Sequence, residues 1–390
     1  MIQLRHHQEK AVSLLREYNR GQVIVPTGGG KTLIAITDAK QQFDQVGSTT
    51  IVVVAPRILL AEQLCKEFLE VIDNAAVYHV HSGETEHFSS TKPVLIANWH
   101  RQAYRNQLIF TTYHSLHRVQ ESGIHVDTIY FDEAHNSVQR NFFPATEYFS
   151  NEADRCYFFT ATPKHSLTIN KPGMNDGAVY GKVLYDIPAP ELIDQGIILP
   201  PKVVVKRIDM PDDSRNKYEH DCDNLLATLD EIDVDKVLIC ARATKQIVGL
   251  ASQTKFCNEL QSRGYNWMYI TSKTGAIING TKTTRENFFD TLNKWGKDSS
   301  CKFVVLHHSI LSEGINVKGL EAALFLRNMD YVGISQTIGR VIRKGDDTKT
   351  YGLVVIPAAD RVGISTAKRV SAVVNTIFNE GKAAISTIRR

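Results

Sequence analysis

Short apolar and β-branched runs recur along the chain, and each is followed by a stretch of helical character. In the first half they lie at 22–25, 51–55, 94–97, 108–111, 128–132 and 156–160. In the second half they lie at 236–240, 267–270, 303–307, 322–326 and 351–356. Runs such as IVVVA and KFVVL are apolar at consecutive positions, which predicts strands buried on both faces. Strands alternating with helices predict the α/β class, with mostly parallel sheets carrying helices on both faces.

The series occurs twice. Between the two halves lie Pro188, Pro190, Gly196, Pro200, Pro201 and Pro211, followed by an acidic stretch ending at Asp235. This break predicts two domains, 1–205 and 206–390. The segment 166–181, with Pro172, Gly173, Asn175, Asp176 and Gly177, is expected to be a surface loop.

Charge is uneven. Residues 1–200 sum to −4, whereas residues 236–390 sum to +12. A basic second half suits a phosphate backbone as partner, or an ordinary solvated surface. Apolar content of 43% excludes a disordered chain. No run of about 18 apolar residues marks a membrane span, and the polar start lacks a signal-peptide core. Six cysteines stand singly, which fits a reducing compartment, so a cytoplasmic location is expected. The pairs His6/His7, His79/His81 and His307/His308 have no partner at a spacing that reads as zinc.

The sharpest local signal is Val25-Pro26-Thr27-Gly28-Gly29-Gly30-Lys31-Thr32. It follows one predicted strand and opens a helix, the context a phosphate-binding loop requires. Glycines let backbone N–H groups turn inward onto phosphate oxygens, and the helix adds its N-terminal partial charge. Lys31 would reach the β- and γ-phosphates of ATP, and the Thr32 hydroxyl would ligate Mg²⁺. The pattern departs from G-x-x-x-x-G-K-[ST] at its first position, here Val25. An acidic partner, Asp132-Glu133-Ala134-His135, closes a later strand. Asp132 would hold Mg²⁺ through water, and Glu133 would orient and deprotonate the attacking water.

With these motifs in order, the sequence resembles the superfamily 2 helicases of the DExH group, in the branch of type III restriction motors and XPB-type repair helicases. The resemblance runs from Leu4 to Arg343 and implies two tandem RecA-like domains. Leu4-Arg5-His6-His7-Gln8 is similar to the adenine-sensing segment, with Arg5 and Gln8 as candidate contacts; His6 stands where the family usually has Pro. Thr27 to Gly30 join Lys31 and Thr32 in the nucleotide site.

Ala55-Pro56-Arg57 resembles motif Ia and Thr111-Thr112-Tyr113 motif Ib, which imply backbone contacts by Arg57, Thr111, Thr112 and Tyr113; Ser272 and Ser309 are candidates of the same kind in the second half. Thr160-Ala161-Thr162 resembles motif III, so Thr160, Thr162 and His135 would couple hydrolysis to the bound strand. Ser312-Glu313-Gly314-Ile315-Asn316 resembles motif V, placing Gly314 and Asn316 near the nucleotide, although the family commonly has Asp at the position of Asn316. Gln336-Thr337-Ile338-Gly339-Arg340-Val341-Ile342-Arg343 resembles motif VI, Q-x-x-G-R-x-x-R. Gln336, Arg340 and Arg343 would serve catalysis, the two arginines sharing one helix face and stabilising charge on the γ-phosphate.

The resemblance implies an ATP-dependent helicase or translocase, with hydrolysis in an interdomain cleft coupled to movement along the backbone of duplex or branched DNA. ATP and Mg²⁺ are the implied cofactors. Nucleic acid is the implied partner, DNA favoured over RNA and read without sequence specificity; a monomer is expected. The short interval between Asn316 and Gln336 leaves little room for a strand-separating hairpin. Other readings remain open: a motor subunit of a restriction or defence complex with a partner subunit, an ATP-gated nucleic-acid clamp, an RNA helicase, or a P-loop ATPase unconnected with nucleic acid.

Overall fold

The computed structural model describes residues 3–388 apart from 46, 104, 169, 209–215, 272, 309–316, 318, 345–348, 359–360 and 384. The chain forms two compact units, Met1–Pro188 with Ala383–Arg390, and Ala189–Lys382.

In the first unit, β1 (Arg20–Ile24), β2 (Thr50–Ala55), β3 (Ala75–Val80), β4 (Asn106–Thr112), β5 (Thr128–Phe131), β6 (Arg155–Thr160) and β8 (Lys182–Asp186) form one sheet. Its order is β3-β4-β2-β5-β6-β1-β8, and every pairing is parallel. Between β6 and β8, β7 (Lys164–Ser166) stands apart. The consecutive apolar runs are explained by packing on both faces. Val52, Val54, Ile129, Phe131 and Phe158 belong to one core cluster. Their neighbours Val53, Tyr130 and Phe159 turn to the opposite side, with Leu64 and Phe68. The helices that matter for the site are α1 (His6–Glu17), α2 (Lys31–Gln45) and α3 (Ile58–Leu69).

In the second unit the strands are β9 (Pro201–Arg207), β10 (Lys236–Cys240), β11 (Asn266–Thr271), β12 (Gly275–Ile278), β13 (Thr281–Thr283), β14 (Phe303–His307), β15 (Ala322–Phe325) and β16 (Gly352–Ala358). They order as β13-β12-β11-β14-β10-β15-β16-β9. Pairing is parallel except at β11–β12–β13. Strand β9, which runs across the 205/206 division expected from the sequence, pairs with β16 in register from Pro201↔Gly352 to Arg207↔Ala358. The C-terminal segment that belongs to the first unit carries β17 (Ser386–Ile388), which pairs in parallel with β7 of that same unit. The predicted α/β class, with a mostly parallel sheet in each half, describes what is observed.

Two local expectations are corrected. The run 94–97 is part of a helix, Pro93–Gln102, with Pro at the helix start. A four-residue apolar run does not separate a strand from a helix by itself, and Pro at the first helical position tips it. Only Ile96 of that helix is buried, while Val94 and Leu95 are exposed. The segment 166–181 is not purely a surface loop: Met174, Val179 and Tyr180 join the core, and the Gln22 amide donates to the Met174 carbonyl at 3.0 Å.

Candidate nucleotide site

The loop from Val25 to Gly30 leaves β1 and enters α2, which begins at Lys31. Gly28 (φ 91°) and Gly30 (φ 85°) take left-handed backbone that side chains with a Cβ disfavour. The Lys31 ammonium donates to the Val25 carbonyl at 3.2 Å, spanning the loop. Two side chains from α1 brace it. His7 Nε2 donates to the Gly29 carbonyl at 2.7 Å, and Gln8 Nε2 donates to the Gly30 carbonyl at 3.3 Å. The Gln8 Oε1 accepts from the Arg5 N–H at 3.0 Å. The Gln8 amide, expected to meet an adenine edge, is thus buried and engaged at both ends. His7 was missed in the sequence, because no spacing rule marks a single histidine as a loop brace.

Asp132 follows β5, and its N–H donates to the Val54 carbonyl at 2.9 Å. Lys31, Thr32 and Asp132 line one cavity together with Ala35, Val53, Leu64, Phe68, Tyr130 and Phe159. Residues 100 apart in sequence are thereby brought together at one place in the first unit. Burial pushes Asp132 up to about 7; the Glu133 carboxylate adds to this and the Lys31 ammonium opposes it. An acid so reluctant to ionise is one that a bound cation would return to its charged form. The Thr27 hydroxyl is buried without a hydrogen-bond partner, a polar atom whose need a phosphate oxygen would meet. The donor set fits a nucleotide with Mg²⁺.

Glu133 sits at φ 45°, a strained position for a residue with a side chain, and such strain gathers at functional sites. Asn136 Nδ2 donates to His135 Nε2 at 3.3 Å, which leaves the proton of a neutral ring on Nδ1. That nitrogen lies 3.1 Å from Thr160 Oγ1, 3.5 Å from Thr162 Oγ1 and 3.5 Å from Glu133 Oε2. The Thr162 N–H donates to Thr160 Oγ1 at 3.1 Å. One imidazole therefore bridges the acidic turn to the two threonines, all of them buried.

The other candidates divide. Arg57 is exposed at the start of α3. Thr111, Thr112 and Tyr113 are buried, a correction to their expected place on a nucleic-acid surface. Thr111 donates to the Val80 carbonyl at 2.9 Å, and the Tyr113 phenol donates to the Asp132 carbonyl at 2.8 Å. Ser272, Ser309, Gly314 and Asn316 lie outside the described residues.

In the second unit, the helix Tyr331–Val341 carries Gln336 and Arg340, both buried. The sharing of one helix face by Arg340 and Arg343 is corrected: Arg343 lies beyond the helix and bridges to Ile198. The Lys349 ammonium donates to the Val341 and Arg343 carbonyls at 2.5 and 3.2 Å, a cation at a helix C-terminus. Beside Arg340, His307 Nε2 lies 3.2 Å from Cys240 Sγ. Burial holds His307 well below its ordinary range, and the Arg340 and Arg327 charges add to this.

Residues 1–165 match the family model of the type III restriction enzyme res subunit. No curated protein matches the chain by sequence. Among solved structures, the ATP-dependent Type ISP restriction-modification enzyme LlaBIII bound to DNA is similar at a TM-score of 0.75 and 18% identity, over 99% of this chain and 31% of that one. A nuclease-deletion mutant of the Type ISP enzyme LlaGI, in complex with a DNA substrate mimic, gives 0.69 and 18%, over 98% and 30%. A fragment described as the HsdR subunit of a type I restriction enzyme from Vibrio vulnificus YJ016 gives 0.65 and 14%, over 98% and 68%. The chain spans about a third of the length of the two Type ISP enzymes. The first 165 residues are thus similar to the res-subunit family model, and nearly the whole chain shares its fold with Type ISP and type I restriction enzymes.

Proposed function

We propose that this chain is an ATP-hydrolysing motor that moves along DNA. The observation that carries the reading is the meeting of Lys31, Thr32 and Asp132 in one cavity at the ends of parallel strands, where ligands bind in open α/β sheets. Backbone N–H groups of the loop with Lys31 would bind the phosphates; Thr32 and Asp132 would hold Mg²⁺. The ion would supply positive charge to the phosphate oxygens.

Glu133 would take the proton of the attacking water. His135, lying between Glu133 and the threonines, orients that carboxylate and links it to the segment 160–162. Arg340 and Arg343 would stabilise charge on the γ-phosphate, and Gln336 would act beside them. The DNA preference is supported by the DNA-bound Type ISP enzymes that share the fold. Contacts would fall on the backbone, from exposed Arg57 and the basic second half, so affinity should decline with salt.

A second reading is favoured by length. Because the chain covers only about a third of the Type ISP enzymes, it could act as the motor part of a larger restriction or defence assembly, slow until a partner binds. Steady-state ATP hydrolysis distinguishes these readings when measured without polymer and with duplex DNA, branched DNA, single-stranded DNA and single-stranded RNA, with Lys31→Ala as blank. Stimulation by duplex or branched DNA, abolished in the variant, is the expected result. RNA-selective stimulation would overturn the DNA assignment, and hydrolysis indifferent to every polymer while DNA binding persists would favour the assembly reading.

A further inference from the structure

Away from the nucleotide site, three side chains with metal-binding atoms converge on the outer flank of the first sheet. Cys65 comes from α3, His79 from edge strand β3, and His87 from the segment after it. Their ligand atoms all lie within 4.8 Å of one another. We propose that Cys65, His79 and His87 bind a thiophilic divalent cation, with Zn²⁺ as the fitting ion.

Zn–S bonds of about 2.3 Å and Zn–N bonds of about 2.0–2.1 Å put tetrahedral ligands roughly 3.3–3.6 Å apart. The three groups are thus slightly open and need only a small inward movement. The His87 ring stacks on His79 at 5.5 Å between centroids. Its segment is tied to His79 on both sides: the His79 N–H donates to the Phe88 carbonyl at 3.0 Å, and the Ser90 N–H donates to the His79 carbonyl at 3.1 Å. Cys65 and His79 are both almost fully buried, at 2% and 1% exposure. Yet His79 Nε2 has no hydrogen-bond partner, and a buried ring nitrogen left alone calls for a ligand.

The second ring nitrogen is accounted for. His79 Nδ1 lies 2.9 Å from His81 Nε2, and His81 Nδ1 accepts from the Gly83 N–H at 3.2 Å. In the metal-free chain this series puts a proton on His79 Nε2. Ligation through Nε2 requires the proton on Nδ1, donated to His81, and gives up the Gly83 bond, the longer of the two. His81 is then a positioning residue that orients the ligating ring, as partners of metal-bound histidines do.

Burial keeps His79 neutral, down to about 3, so no proton competes by charging the ring in ordinary buffers. Burial pushes the Cys65 thiol up to about 12, with Glu62 raising it further and Glu86 adding a smaller push. The same carboxylates would offset the cation. Binding balances as one thiol losing one proton to solvent while one S–Zn bond forms. The fourth position is left to water. The site would clasp the segment after β3 onto α3.

The full chain, freed of metal by a chelator and kept reduced, is titrated with Co²⁺ and then Zn²⁺. The expected result is one Co²⁺ per chain with a thiolate-to-cobalt charge-transfer band, displaced by Zn²⁺. Cys65→Ser should remove the band, and His87→Ala should weaken binding about tenfold or more. Absence of the band in the parent, or its persistence in Cys65→Ser, overturns the site. Should Cys65→Ser fail to fold, the half-buried His87→Ala decides: unchanged affinity overturns the proposal.

Discussion

The Tyr113 phenol donates a 2.8 Å hydrogen bond to the main-chain carbonyl of Asp132, so the segment after β4 holds the end of β5 where the acidic turn begins. Asp132 in turn shares its cavity with Lys31 and Thr32. Tyr113 therefore acts on the site through backbone position, from a buried place that no polymer reaches. Tyr113→Phe keeps the ring but leaves the carbonyl without its donor. It should cost about 1–3 kcal/mol of stability and lower kcat for ATP hydrolysis while DNA affinity stays at the parent value. Urea unfolding with a DNA-binding titration checks this; a selective loss of DNA affinity would return Tyr113 to the polymer-contacting role.

Asp132 gives the nucleotide-free chain an unusual pH dependence. Its folded value is raised to about 7, whereas an unfolded Asp titrates near about 3.9. Between these values the folded state binds more protons than the unfolded one, so this group's contribution to stability falls as pH rises from about 4 to about 7. Asp132→Asn should accordingly raise Tm at pH 8 and leave it near the parent at pH 4. Calorimetry without nucleotide reads both; an equal shift at the two pH values would contradict the assigned cause.

Gly30 is held at φ 85°, and a methyl there would collide with the Gln8 amide. Gly30→Ala should impose about 1–3 kcal/mol of backbone strain and weaken nucleotide binding at least about tenfold, equivalent to about 1.4 kcal/mol. Gln8→Ala removes the collision but not the φ requirement. Adding it to Gly30→Ala should restore only part of the affinity, measured by titrating a fluorescent nucleotide. Full restoration would show that the collision alone matters.

Asp38, on α2, is almost fully buried. It accepts from Arg155 at 2.9 Å and Gln42 at 2.9 Å, and from the Tyr130 phenol. Removing one partner of a buried pair costs about 3–5 kcal/mol, with the lower end expected because Arg155 is partly exposed. Asp38→Asn should thus shift the urea midpoint strongly without changing the slope. A midpoint within error of the parent would refute the network's structural weight.

Arg340 is 3% exposed on its helix. In its proposed role, Arg340→Ala should reduce DNA-stimulated hydrolysis by about 10³ or more, with Arg340→Lys restoring little because a guanidinium fork is not replaced by an ammonium. Circular dichroism establishes that each variant is folded. Hydrolysis near the parent rate in Arg340→Ala would remove it from the reaction.

Much of the site was legible because its signals are local. The glycine run before Lys31 needs only its own backbone to form a turn, and the acidic tetrad ends a strand whose apolar residues are consecutive. Errors arose where burial or termination depends on distant neighbours. The run 94–97 has no strand beside it and closes a helix turn behind Pro93. The hydroxyls of Thr111 and Tyr113 look available in sequence, but Val80 and Asp132 occupy them. Arg343 keeps helical spacing from Arg340, yet the helix ends at Val341, where Lys349 takes its carbonyl and Arg343 pairs instead with Ile198.

Sequence alone determined the α/β class, the glycine turn before Lys31 and the acidic turn, since each rests on periodicity or on a contiguous motif set by neighbours a few residues away. Tertiary structure decided that Lys31 and Asp132 share a cavity, that His7 and Gln8 brace the loop, and that Cys65, His79 and His87 meet. These are contacts between elements far apart in the chain, and only the crossing of helices over parallel strands brings their side chains within reach.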